Sequence, residues 1–156
     1  MERYIFNIFN IFIFIFSFYS LLLAASEIKV DADKMEVLES EGLVVFTGNV
    51  EATRKDLKVW TEKLYIYYNN SKEDKKTVTK LVALGRVRIQ KGKWQAYAGK
   101  AVYFRDQDFL VLEEEPKVWY ENHLVEGDVI KVYFKEDRSE VLAKKGGRVR
   151  ASVTTK

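Results

Sequence analysis

Leu57-Lys58-Val59-Trp60-Thr61-Glu62-Lys63-Leu64-Tyr65-Ile66 is the stretch that decides the fold. Leu57 and Val59 stand two apart on one side of Thr61-Glu62-Lys63, and Leu64 and Ile66 two apart on the other. Alternation with period two is the strand pattern. The apolar parity shifts by one across the middle, and an inserted residue of this kind returns the apolar set to the same side, as a β-bulge does. The segment therefore reads as one long strand, bent at its centre, with one apolar face kept inward.

The same arrangement recurs. Ala32-Asp33-Lys34-Met35, Thr61-Glu62-Lys63-Leu64, Ala98-Gly99-Lys100-Ala101 and Gly127-Asp128-Val129-Ile130 follow one another at intervals of 29, 37 and 29 residues. Parity shifts at each: Ile28 and Val30 precede Met35 and Val37, Trp94 and Ala96 precede Ala101 and Tyr103, and Val125 precedes Ile130, Val132 and Phe134. A second element alternates with the first, as Thr47-Gly48-Asn49-Val50, Leu84-Gly85-Arg86-Val87, a degenerate Glu114-Glu115-Pro116-Lys117-Val118 and Gly147-Arg148-Val149. Two alternating motifs define one strand-pair unit repeated about four times. Turn-forming stretches separate the strands at even spacing, the longest running from Asn69 to Lys76, and no helical periodicity interrupts them. The chain is expected to be all-β, with Phe46, Val59, Leu64, Ile66, Val87, Ile89, Trp94, Ala101, Tyr103, Val118, Ile130, Val132 and Phe134 on the inward face, joined by Val50 and Leu112.

Residues 1–26 read differently. An apolar run from Tyr4 to Leu23 follows Arg3 and closes on Ala24-Ala25-Ser26, small residues of the type a signal peptidase reads. The reading is a secretory signal with the folded domain over 27–156; the length of the run keeps an uncleaved membrane anchor as the alternative. Either way the domain is expected outside the cytoplasm.

Composition excludes several classes of function. Lys and Arg total 26 against 23 Asp and Glu, with the signs interspersed, so there is no basic stripe for nucleic acid. No cysteine is present, which removes disulfides, thiolate metal sites and acylated cysteine. His123 is the single histidine, read as a surface or rim residue after Glu121-Asn122, and Glu113-Glu114-Glu115 as a solvated turn. Neither makes an acid–base pair, and no enzyme, metal or cofactor is expected. Lys34, Lys63 and Lys100 are read as bulge residues paired with Asp33 and Glu62, with lipid phosphate as the alternative partner.

With these motifs in place, the chain resembles the LptA/OstA-type family of lipopolysaccharide-transport periplasmic proteins over residues 27–156. The resemblance is carried by Ala32-Asp33-Lys34-Met35-Glu36, by Val45-Phe46-Thr47-Gly48-Asn49-Val50 and by the stretch from Gly127-Asp128 to Gly147-Arg148-Val149. It implies an open β-jelly roll of two antiparallel sheets whose inner surface, the residues named above, binds the acyl chains of lipid A. It also implies head-to-tail stacking through edge strands near Ile28–Val37 and Val149–Thr154, with an LptC-like inner-membrane protein at one end and an LptD-like outer-membrane protein at the other. Two alternative readings are an anchored LptC-like acceptor of the same fold and a β-repeat interaction module with a filled core. Glu114-Glu115-Pro116 departs from the Gly-Asn pair of the other repeats, and Val129 from the repeated lysine.

Overall fold

The computed structural model describes residues 27–70 and 76–155. Residues 1–26, expected to be a signal, and most of the Asn69–Lys76 turn stretch lie outside the described residues. Twelve strands make up the domain: β1 (Lys29–Asp31), β2 (Lys34–Leu38), β3 (Leu43–Arg54), β4 (Leu57–Asn70), β5 (Lys76–Lys91), β6 (Trp94–Phe104), β7 (Phe109–Glu113), β8 (Lys117–Tyr120), β9 (His123–Glu126), β10 (Val129–Tyr133), β11 (Arg138–Leu142) and β12 (Arg150–Ser152). A 3-10 turn, Glu39–Glu41, joins β2 to β3. Every pairing is antiparallel, and among the described residues there is no α-helix.

Strands β3 to β6 are long, and each serves two half-sheets. Their pairing slips between Thr47 and Val50, between Trp60 and Lys63, and between Leu84 and Val87, where the motifs fall. On one side of this crease the strand order is β1-β3-β4-β5-β6-β8-β9-β12. On the other side it is β2-β3-β4-β5-β6-β7-β10-β11. The result is an open jelly roll of two antiparallel half-sheets folded about the bulges that the parity shifts announce.

The crease is built from glycine and carboxylate. Gly48 and Gly85 have φ of +84° and +86°, a left-handed conformation open to glycine without steric cost, and Asn49 and Arg86 beside them are also left-handed. A Cβ at Gly48 would strike Asp33, and one at Gly85 would strike Glu62. In turn, the Asn49 side chain donates to the Asp33 carboxylate at 2.9 Å, and Arg86 pairs with Glu62 at 2.6 Å. The third repeat exchanges the roles: Gly99 supplies the gap and Glu114 the carboxylate that fills it, while Glu114 and Glu115 both sit at positive φ. The departure from Gly-Asn therefore leaves the bend intact. Asp128 over Gly147 closes the series, accepting from the Lys144 N–H at 2.6 Å.

Neither half-sheet alternates strictly: Trp60, Tyr97 and Trp119 lie on the outer face of the first, and the second carries a whole apolar row there. Val45, Tyr65, Val82, Val102 and Val111 form a cross-strand row on the outer face of the second half-sheet. Beyond it runs a row of rings and cations, in which Lys80 covers Tyr67 at 4.2 Å, Phe109 packs on Phe104 and Tyr133, and Arg138 covers Tyr133 at 3.9 Å. Cross-strand aromatic and cation–π pairs shield one another from water, so apolar residues persist on both faces there.

Candidate functional site

The inward face of each half-sheet is an unbroken apolar row. Met35, Phe46, Leu64, Ala83, Ala101, Leu112, Ile130 and Val141 lie opposite one another across the second half-sheet. Val30, Ala52, Val59, Ile89, Ala96, Val118, Val125 and Ala151 do so across the first. The middles of the two rows meet in one cluster. Alanines 83, 96, 98 and 101 occupy β5 and β6 on either side of the crease, where small side chains let the half-sheets approach most closely.

Twelve of the thirteen residues expected on the inward face belong to this cluster or pack against it: Leu64, Val87, Ile89, Ala101 and Ile130 are buried, and Phe46, Val59, Ile66, Trp94, Tyr103, Val118 and Val132 are partly buried. Phe134 is the exception. It lies past the end of β10, is 40% exposed, and meets Tyr103 edge-on at 6.4 Å and the Lys91 ammonium at 5.7 Å. Ala83, Ala98, Leu81 and Leu110 were not anticipated. Alanine marks a core position weakly, and Leu81 and Leu110 sit in runs apolar on both faces, where parity carries no information.

Burial falls away toward both ends of the rows. Leu112 is 0% exposed and Ile130 2%, whereas Met35 is 58% exposed at one end and Val153, beyond β12, 66% at the other. Among the described residues, β1 and β2 pair only with β3, β11 only with β10, and β12 only with β9. The seam thus reaches two open edges without turning polar, each edge carrying a strand with free backbone groups.

Cations and aromatics mark the mouth. Arg54, Leu57, Lys91, Trp94, Tyr120 and His123 form the outermost row on the inward face of the first half-sheet. Opposite them, the Tyr103 hydroxyl donates to Asp108 at 2.7 Å. Burial, reinforced by that hydrogen bond and by the Asp108 charge, pushes the Tyr103 phenol up to about 12, with Arg54 and Arg105 pulling the other way. A raised folded-state value stabilises the fold fully below the unfolded value near 10 and loses that contribution as pH rises from 10 to about 12. We expect the stability difference between wild type and Tyr103→Phe to shrink across this window in alkaline urea titrations; a constant difference would contradict the contact.

Two side-chain expectations are corrected. Lys34 pairs with Glu36 and Lys100 with Glu113, each at 2.9 Å, not with Asp33 or Glu62, because neighbours along a strand face opposite ways while Asp33 and Glu62 turn into the crease. His123 keeps the rim position expected of it, half-buried at the start of β9, and its Nδ1 is buried with no partner among the described residues. Glu113 belongs to β7 instead of a turn, while Glu114 and Glu115 are exposed. A cleft of about 390 Å3 lined by Glu41, Tyr67, Lys80 and Asp106 among others lies at the loop end of the second half-sheet, away from the seam's buried centre.

A creased jelly roll of strand-pair repeats, with an apolar seam open at both edges, is the class of protein these features define. The family model described as "LptA/(LptD N-terminal domain) LPS transport protein" matches residues 29–138, and the chain belongs to that family. Among solved structures it is similar to LptH from Pseudomonas aeruginosa, described as the LptA homologous periplasmic component of the conserved lipopolysaccharide transport device. The TM-score is 0.74 at 19% identity, over 83% of this chain and 96% of that one. No curated protein sequence matches the chain.

Proposed function

We propose that this chain is a periplasmic, non-enzymatic lipopolysaccharide carrier that passes lipid A acyl chains along its seam between the inner and outer membranes. The observation that carries the reading is the pair of apolar rows that run to both edges uncovered. Burying a methylene is worth about 0.8 kcal/mol, so a few carbons of each acyl chain laid on the seam suffice to hold a lipid without a closed pocket. Handing the lipid onward needs similar affinity at successive positions, which an unspecific apolar lining provides. The buried centre, Leu112 and Ile130, then acts as floor, and Ile66, Trp94, Tyr103 and Val132 as the walls that contact lipid.

In this reading the open edges join copies head to tail, with an LptC-like protein and an LptD-like protein at the two ends. Strand addition at β1 and β2, or at β11 and β12, continues both sheet and seam. The residues before Glu27 deliver the domain to the periplasm, and a mature terminus at residue 26 or 27 separates this carrier from an anchored acceptor of the same fold.

The test is co-purification. Protein exported by its own leader in a lipopolysaccharide-producing envelope is expected to carry lipopolysaccharide through purification. Ile66→Glu should reduce the retained lipid about tenfold, the effect of roughly 1.4 kcal/mol, while Tyr65→Glu, on the opposite face of β4, leaves it unchanged. Equal retention by all three would sink the proposal.

A further inference from the structure

We propose that the outer face of the first half-sheet is a docking surface for an anionic phospholipid bilayer. This face lies opposite the seam, so the inference goes beyond the carrier reading and does not depend on it. Two rows of side chains in register make it up across β4, β5, β6 and β8: Trp60, Arg88, Tyr97 and Lys117 in one, and Lys58, Gln90, Gln95 and Trp119 in the other. Tyr97 and Trp119 are each 39% exposed, while their strand neighbours Ala96 and Val118 face the core. Trp60 and Tyr97 stand two strands apart, about 10 Å between backbones. Arg88 lies between them, with its guanidinium 4.1 Å from the centre of the Trp60 ring.

Charge selects the occupant. Lys58, Arg88 and Lys117 are cations, and none of the side chains in the two rows is a carboxylate. The carboxylates of this face, Asp31, Glu51 and Glu126, lie on the flanking strands β1, β3 and β9. Glu126 pairs with Lys117 at 3.0 Å and with Arg150 at 3.8 Å, whereas Lys58 and Arg88 have no carboxylate partner among the described residues. A second copy laid on this face would set like cations against one another. A small ligand takes a concavity, and these rows run across an open sheet. A bilayer interface is an extended anionic surface that also accepts aromatic rings. Indole and phenol rings rest there at the level of the head groups, while lysine and arginine stems lie beside them and carry their charges to the phosphates. Phospholipid, not lipopolysaccharide, is thus the ligand of this face, and adsorption leaves the seam and its two open edges free.

The test is co-sedimentation of protein exported by its own leader and stripped of lipid, with vesicles of phosphatidylcholine or of phosphatidylcholine and phosphatidylglycerol in equal parts. Wild type is expected to bind the anionic vesicles about tenfold more tightly, a preference that added salt removes. Lys58→Glu and Trp119→Ala should each weaken that binding about tenfold. Lys131→Glu, an equal change of charge on the outer face of the second half-sheet, and Ile66→Glu, on the seam, should leave it within about twofold. Lys58 and Trp119 are exposed, and matched unfolding midpoints verify the fold. Equal binding to both vesicles overturns the proposal, as does a loss in Lys131→Glu as large as in Lys58→Glu. Loss in Ile66→Glu alone would place the vesicle lipid on the seam and overturn it too. Soluble poly-glutamate bound as tightly as the anionic vesicles would mark a site for an acidic protein, and a dimer in light scattering that Trp119→Ala dissolves would mark an interface between copies; either result overturns the bilayer assignment. Lipopolysaccharide retention, which tests the carrier reading, is expected to be the same in Lys58→Glu as in wild type, so the two readings fail separately.

Discussion

Leu112→Ala is expected to lower the free energy of unfolding by about 3 kcal/mol, read from urea denaturation. Leu112 has no exposed surface and stands on β7 between Ala101 and Ile130, where the two half-sheets meet. Truncation removes the transfer energy of its side chain and leaves a cavity walled by strands from both sides, which cannot collapse without moving the crease. Val111→Ala provides the contrast. Val111 adjoins it on the same strand but faces outward, among Val102 and Lys131, and only partly loses contact with water. Its loss should stay near 1 kcal/mol. Equal losses at the two positions would show that the seam is not the principal core.

The second large effect belongs to the crease. Gly85→Val places a β-branched residue at a φ of +86° and sets its Cβ against the Glu62 carboxylate. Left-handed strain in a branched residue and displacement of Glu62 from Arg86 together should cost about 3 kcal/mol. Gly92→Ala separates strain from crowding. Gly92 also has positive φ, +56°, but a Cβ there meets nothing within 4 Å, so about 1 kcal/mol is expected. The measurement is the difference in unfolding midpoint between the two variants. If Gly85→Val were as mild as Gly92→Ala, the carboxylate-over-glycine packing would not hold the bend.

Much of this architecture was legible before any coordinates. The shift of apolar parity at Thr61-Glu62-Lys63 fixed both the strand assignment and the bulge, because a side-chain period of two leaves no other way to keep Val59 and Leu64 on one face. The edge segments near Ile28–Val37 and Val149–Thr154 came from the open sheets that the resemblance implies, and β1, β2 and β12 lie within them. Three things were hidden. Pairings across the crease, such as Glu62 with Arg86 and Asp33 with Asn49, join residues far apart in the chain, and the nearest lysine was the wrong partner. The outer apolar face of the second half-sheet was masked because Tyr65 and Tyr67, which alternate with Leu64 and Ile66, are aromatics common on either face of a strand. The exchange of roles between Gly99 and Glu114 could not be read from motif order, since each motif taken alone departs from its counterparts.

The inward row is where the account is most exposed. A photo-crosslinking residue placed at Ile66 or at Tyr103, in protein exported into a lipopolysaccharide-producing envelope and irradiated there, tests it directly, with outward Lys58 as the comparison. The account predicts a lipopolysaccharide adduct at Ile66 and Tyr103 and none at Lys58. Equal labelling at all three sites, or no adduct at any, would contradict it and leave a β-repeat module whose seam is only a core.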